Sequence, residues 1–117
     1  MVAAGGYYNG THTVGLEFEG AAVALGNIYG GQCNVADWMD IVQVAVGYLH
    51  TVGVKSNGTV VAVGSNGSGQ CNVTGWADIA QVAAYRDHTV GLKSDGTVVA
   101  VGDNGYGQLN VGGWDLG

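Results

Sequence analysis

The chain has 117 residues, of which 47% are hydrophobic, a tenth are charged and 23 are glycine, a length that allows one domain with a modest core. The apolar set is mostly Val and Ala, and with dense Asn-Gly and Asp-Gly pairs it favours short strands and tight turns, hence an all-β fold. The formal charge of −6, with Lys55, Arg86 and Lys93 as the only cations besides three histidines, argues against nucleic acid and against an anionic membrane surface as partners, and no apolar run approaches a membrane span.

The opening segment, MVAAGGYYNG, lacks the basic start and long apolar core of a signal peptide, so the expected setting is cytoplasmic. From His12 the chain reads HTVGLEFEGAAVALGNIYGGQCNV, and this stretch returns, with changes, from His50 and again from His88. His12, His50 and His88 lie 38 apart, as do Gln32, Gln70 and Gln108, and Trp38, Trp76 and Trp114. A period of this length marks a repeated supersecondary unit, and the repeats run over about 2–41, 42–79 and 80–117. Helical repeats of similar length need amphipathic stretches of 10–15 residues, and none is present.

The second unit shows the elements most clearly. Val42–Gly47 is a first strand, His50–Lys55 a second and Thr59–Gly64 a third, with Asn57-Gly58 as the hairpin turn between the last two. An Asn-Gly pair between alternating runs predicts a type I′ turn, with positive φ at both residues. After the loop SNGSG, the segment Gln70–Val73 is expected as a short fourth strand, and TGWADI crosses to the third unit. The expected architecture is a β-propeller with three four-stranded blades per chain.

The pattern G-x-x-H-T-V-G-L-K-S-D-G-T-V-V-A-V-G-x-N-x-x-G-Q resembles the regulator-of-chromosome-condensation repeat, in the short-blade form common in bacterial proteins, and is similar to the blades of the propeller-type β-lactamase inhibitors. The resemblance covers essentially the whole chain and implies a propeller, though that fold hosts many functions. Propellers of that family usually close with about seven blades, and three leave two unpaired edges and two open faces. The expectation is a homodimer closing a six-bladed ring, with a piece of a longer seven-bladed propeller as the alternative.

Differences between the copies gather in two loops: the one before the repeat histidine (GGYYNGT, GYL, YRD) and the one after the third strand (NIYGG, SNGSG, DNGYG). In an up-and-down meander both emerge on one face, and loops on a rigid scaffold are where binding residues sit. All six tyrosines fall in these loops or beside them, and tyrosine supplies contact area at low entropic cost. The candidate partner-binding set is Tyr7, Tyr8, Asn9, Ile28, Tyr29, Tyr48, Leu49, Ser68, Tyr85, Arg86, Asp87 and Tyr106. The resemblance to the inhibitors implies that Tyr7, Tyr8, Tyr48 and Tyr85 meet the target.

Other residues read as framework. The histidines are too far apart along the repeat to share a metal ion, and a bond to the backbone or to a neighbouring blade suits them better. Cys33 and Cys71 occupy a position that the third unit fills with Leu109, which indicates an apolar site and reduced thiols. The three tryptophans, constant and placed in the crossings, read as wedges between blades. Glu17 and Glu19, two apart on a strand, would share a face without any nucleophile or third ligand beside them. No catalytic constellation, metal site or cofactor motif emerges. The function expected is therefore a non-enzymatic protein-binding module, a half-propeller that homodimerises and meets a partner protein of unknown identity. The alternative is a glycan-binding propeller.

Overall fold

The structure, a computed structural model, describes residues 1–7, 10–17, 19–26, 33–105 and 107–117. Described strands are, in chain order, β1 (Val2–Tyr7), β2 (Gly10–Leu16), β3 (Ala22–Gly26), β4 (Ile41–Val46), β5 (His50–Lys55), β6 (Val60–Gly64), β7 (Ile79–Tyr85), β8 (His88–Lys93) and β9 (Val98–Gly102). They form three antiparallel meanders, β1-β2-β3, β4-β5-β6 and β7-β8-β9. The register repeats as well: Gly15, Gly53 and Gly91 face Val2, Val44 and Val82 across the first pair of each sheet. Among the described residues no helix is long and apolar enough to cross a membrane.

Three details differ from expectation. The described segment Gln70–Val73 is not a fourth strand. It winds through successive turns in which the Asn72 amide donates to the Gly69 carbonyl at 3.0 Å and the Val73 amide to the Cys71 carbonyl at 2.9 Å. Asn66 holds this path, its side-chain oxygen accepting from the Cys71 amide at 2.7 Å and its nitrogen donating to Asn72 at 2.9 Å. Those local bonds use groups that a strand ladder would need.

The hairpin turns also differ from type I′. Only Gly58, at φ 86°, has positive φ; Asn57 does not. The Gly58 amide donates to the Lys55 carbonyl at 2.9 Å and the Lys55 amide to the Thr59 carbonyl at 2.8 Å, a three-residue loop in which glycine takes the left-handed position. Asn57 instead caps the turn through its side chain, which accepts from the Thr59 amide and hydroxyl. Glu17 and Glu19 belong to the matching turn of the first sheet, where the Gly20 amide donates to the Glu17 carbonyl at 3.0 Å, so the shared strand face expected for the pair is absent.

The sheets pack face to face and the core lies in the joints between them. One cluster gathers Val14, Ala22, Val35, Trp38, Ile41 and Val44 between the first two sheets; the other gathers Val52, Val54, Val60, Val73, Ile79 and Val82 between the second and third. Each fully buried valine contributes about 1.5–3 kcal/mol of transfer free energy. Trp38 packs against Gly53, where a Cβ would come within 2.8 Å of its ring, and Trp76 packs in the same way against Gly91. Trp38 and Trp76 are wedges between blades, and the glycines are their sockets. His12 Nε2 meets Thr51 Oγ1 at 2.9 Å and His50 Nε2 meets Thr89 Oγ1 at 2.9 Å, each crossing from one blade to the next.

Candidate functional site

The loop before the second strand and the loop after the third do share one face. The Ser65 amide donates to the Leu49 carbonyl at 2.8 Å, and the Asp103 amide to the Asp87 carbonyl at 2.9 Å, tying the two loops together in the second and the third sheet. Between sheets, the Tyr48 amide donates to the Arg86 carbonyl at 3.1 Å. The opposite face carries the hairpin turns and crossings, linked by Ser56 to Asp40 and by Ser94 to Asp78.

On the loop face the two blades bring five candidate residues into one cluster. The Tyr48 and Tyr85 rings are 5.8 Å apart and tilted, and the Arg86 guanidinium stands 5.4 Å from the Tyr48 ring centroid. Cation–π contacts at such exposed positions are worth about 0.5–1 kcal/mol. Arg86 sits at the tip of the β7–β8 hairpin with φ 50°, a left-handed conformation that non-glycine residues adopt at a cost of roughly 1 kcal/mol. Strain of this kind concentrates at ligand-binding and other functional positions.

Two adjoining clefts of about 250 Å³ flank Arg86 and Asp87. Tyr48 and Leu49 complete one of them; Tyr85, His88, Asp103 and Gln108 complete the other. Tyr85 is exposed and Leu49 half-buried, while Ser68 is exposed but lines neither cleft. Tyr7 ends β1 in the register of Gly10. Tyr8, Asn9, Ile28, Tyr29 and Tyr106 lie outside the described residues. His88, Asp103 and Gln108 were missed as site residues because His88 and Gln108 repeat in every unit and read as frame. Asp103 carried a signal, since it replaces Ser65 of the second unit. Its carboxylate accepts from the Gly105 amide at 3.2 Å and from the Gln108 side chain at 3.3 Å.

The cleft offers a cation, carboxylates, an imidazole and aromatic edges, which suits recognition of a polar surface. Among the described residues no group of three or more His, Cys, Asp or Glu side chains gathers to hold a metal. Cys33 and Cys71 are half-buried and remain thiols; burial pushes the Cys71 thiol up to about 11, which leaves it a poor nucleophile at neutral pH.

Comparison with known proteins places this geometry. The family model of the regulator of chromosome condensation (RCC1) repeat matches residues 41–70 and 79–108. No curated protein matches the sequence significantly. Among solved structures, the chain is similar to Prp20p of Saccharomyces cerevisiae, described with its binding to Gsp1p and histones, at TM-score 0.66 and 20% identity, over 78% of this chain and 28% of that one. It is also similar to the ectodomain of the Arabidopsis thaliana receptor kinase ACR4, at TM-score 0.76 and 18% identity, over 98% of this chain and 44% of that one. A third likeness is the C-terminal domain of gp131 from bacteriophage phiKZ, at TM-score 0.56 and 22% identity, over 86% and 29%. The chain thus spans less than half the length of these neighbours, and the likeness extends to fold alone.

Proposed function

We propose, from the premise that the chain belongs to the RCC1 repeat family, that it is a non-enzymatic protein-binding module whose loop face recognises a partner protein. The observation that carries this reading is the Tyr48–Tyr85–Arg86–Asp87 cluster, in which residues that differ between repeats are drawn together from two blades. Aromatic and arginine side chains that are rigidly held on a preformed frame are the usual anchors of protein interfaces. The remaining loop residues, Tyr7, Tyr8, Asn9, Ile28, Tyr29, Ser68 and Tyr106, are assigned to the same face from the repeat. The module works as a half-propeller that pairs with a second copy into a six-bladed ring, in a cytoplasmic setting that keeps Cys33 and Cys71 reduced.

The test is affinity capture with the immobilised chain and with a Tyr85→Ala/Arg86→Ala variant, followed by direct titration of whatever protein is retained. A partner bound by the wild type at submicromolar Kd, and at least tenfold more weakly by the folded variant, supports the reading. Equal binding by both overturns the assignment of the site. Two tryptophans that a glycan-binding face would need, Trp38 and Trp76, are spent as wedges over Gly53 and Gly91, which favours protein over sugar.

A further inference from the structure

Each internal joint is built from the same parts, and the two ends of the chain carry the missing halves of one more. At the internal joints Trp38 covers Gly53 and Trp76 covers Gly91, each glycine 15 positions further along. Trp114 is the third such tryptophan, yet it is 53% exposed where Trp38 is 8%. Gly15 is the matching socket of the first sheet, and among the described residues no ring lies upon it: of these, a Cβ there would meet Val23 at 3.6 Å and Val2 at 3.8 Å.

The joint between the second and third sheets adds a polar part. The Gln43 side chain donates to the Val82 carbonyl at 2.8 Å and accepts from the Val82 amide at 3.0 Å, gripping the first strand of the next blade. Gln81 stands in the register of Gln43, and Val2 in that of Val82. The apolar part follows suit. Val44 and Val82 are buried in the internal joints, whereas Val2 is 76% and Leu25 80% exposed. Finally, the Leu116 amide donates to the Gly96 carbonyl at 2.7 Å, as Ile79 does to Gly58 and Ile41 to Gly20, so the last residues already follow the path into a next first strand.

We propose that the open face of the first blade and the open face of the third are two halves of one joint, formed head to tail between two copies of this chain. Trp114 of one copy seats on Gly15 of the other, and Gln81 grips the backbone of Val2. The proposal rests on the six-bladed reading above and adds its polarity and chemistry. The occupant is a second copy because these faces match each other at the tryptophan–glycine, glutamine–valine and apolar positions, and two copies make six blades, within the four to eight that propellers use. Head-to-tail contacts repeated twice close a two-fold ring. One position departs from the pattern: Tyr85 stands where Gly47 admits the His50 ring and the Arg86 carbonyl, so His88 cannot sit over that position as His50 does, and the seam is carried by the other parts.

Sedimentation equilibrium of the whole chain tests this with variants of each face. Gly15→Glu blocks the socket without a clash inside the chain, and Trp114→Ala removes the wedge; Leu25→Glu is a second variant of the first face at a side chain already in solvent. Wild type is expected as a dimer. Each folded single-face variant alone should dissociate with a Kd at least tenfold higher. An equimolar mixture of Gly15→Glu and Trp114→Ala should recover dimers, because it restores one intact joint and the bulk added at position 15 faces the space vacated at position 114. A monomeric wild type overturns the dimer and this joint together. A dimeric wild type whose folded single-face variants stay dimeric overturns the joint alone, as does a mixture that fails to recover.

Discussion

His50 illustrates how one residue type serves the frame and exacts a pH dependence for it. Thr89 donates its hydroxyl hydrogen to the Gln70 carbonyl at 2.8 Å, so in the 2.9 Å contact His50 Nε2 must be the donor. That fixes the neutral tautomer and leaves Nδ1 as a buried atom with no partner, beneath Gly47. Protonation would bury a charge, and burial lowers the His50 pKa from 6.5 to about 4, a shift that the His88 backbone opposes only in part. His12, with the same geometry, is also lowered by burial. A base whose folded pKa is depressed stabilises the fold above its unfolded pKa and loses that contribution as pH falls. Stability should therefore drop between pH 6.5 and 4, by roughly 3 kcal/mol from His50 alone. Urea titrations at half-unit pH steps check this, and His50→Gln should lower stability at pH 7 while flattening the slope over that window. The sequence made the histidines legible as cross-blade frame residues, but a buried, unpaired Nδ1 is a matter of geometry that no spacing reveals. Arg86 is the converse case, a residue that serves the surface at the expense of the frame. Arg86→Gly relieves the positive φ but gives up the contact with the Tyr48 ring, so the two roughly cancel and stability should stay within about 0.5 kcal/mol in the same titrations, while whatever the loop face binds is held more weakly.

The first, second and third strands of the second unit were readable from alternation and glycine punctuation, and they lie within a residue of β4, β5 and β6. The expected fourth strand failed because the side chain of Asn66 organises Gln70–Val73 through local bonds, and propensity alone does not register such a competitor. Asn104 repeats the device in the third unit, accepting from the Leu109 amide at 2.8 Å. Turn type was misread for a related reason: Asn57 caps with its side chain and leaves the positive φ to Gly58 alone. The joints were legible only as a constant tryptophan, since nothing in the sequence says which glycine it covers. That pairing yields a sharp contrast. Gly91→Ala places a Cβ 2.8 Å from the Trp76 ring and 3.2 Å from Ile79, inside a packed joint, and should cost about 1–3 kcal/mol. Thermal unfolding followed by tryptophan fluorescence would show it, and an unchanged Tm would mean that the indole is not wedged against the glycine.

At the scale of the whole molecule, the propeller class and its three repeats were legible because a 38-residue period with in-register glycines leaves few alternatives. The site was legible only in part: Tyr48, Tyr85, Arg86 and Asp87 could be named as variable, but their meeting depends on the Tyr48–Arg86 backbone bond between blades. The same continuity between blades governs the ring. The Leu116 amide bond to Gly96 copies the bond that leads Ile79 into β7, and Val82 follows Ile79 by three residues. If Gly117 is joined directly to Met1 of a second copy, Val2 of that copy follows Leu116 by the same three residues. A tandem gene without any linker should then express a six-bladed monomer of twice the mass, with one seam covalently continuous and the other closed within the chain. Closure inside one chain replaces a bimolecular step by a local one, at an effective concentration near the millimolar range. The wild type should show a Tm that rises with protein concentration, as any dimer linked to folding does. The tandem should show a higher Tm that is independent of concentration. Light scattering and calorimetry read both quantities on the same samples. A tandem that unfolds at the wild-type temperature, or that polymerises through free ends, would mean that the terminal faces do not match each other in register.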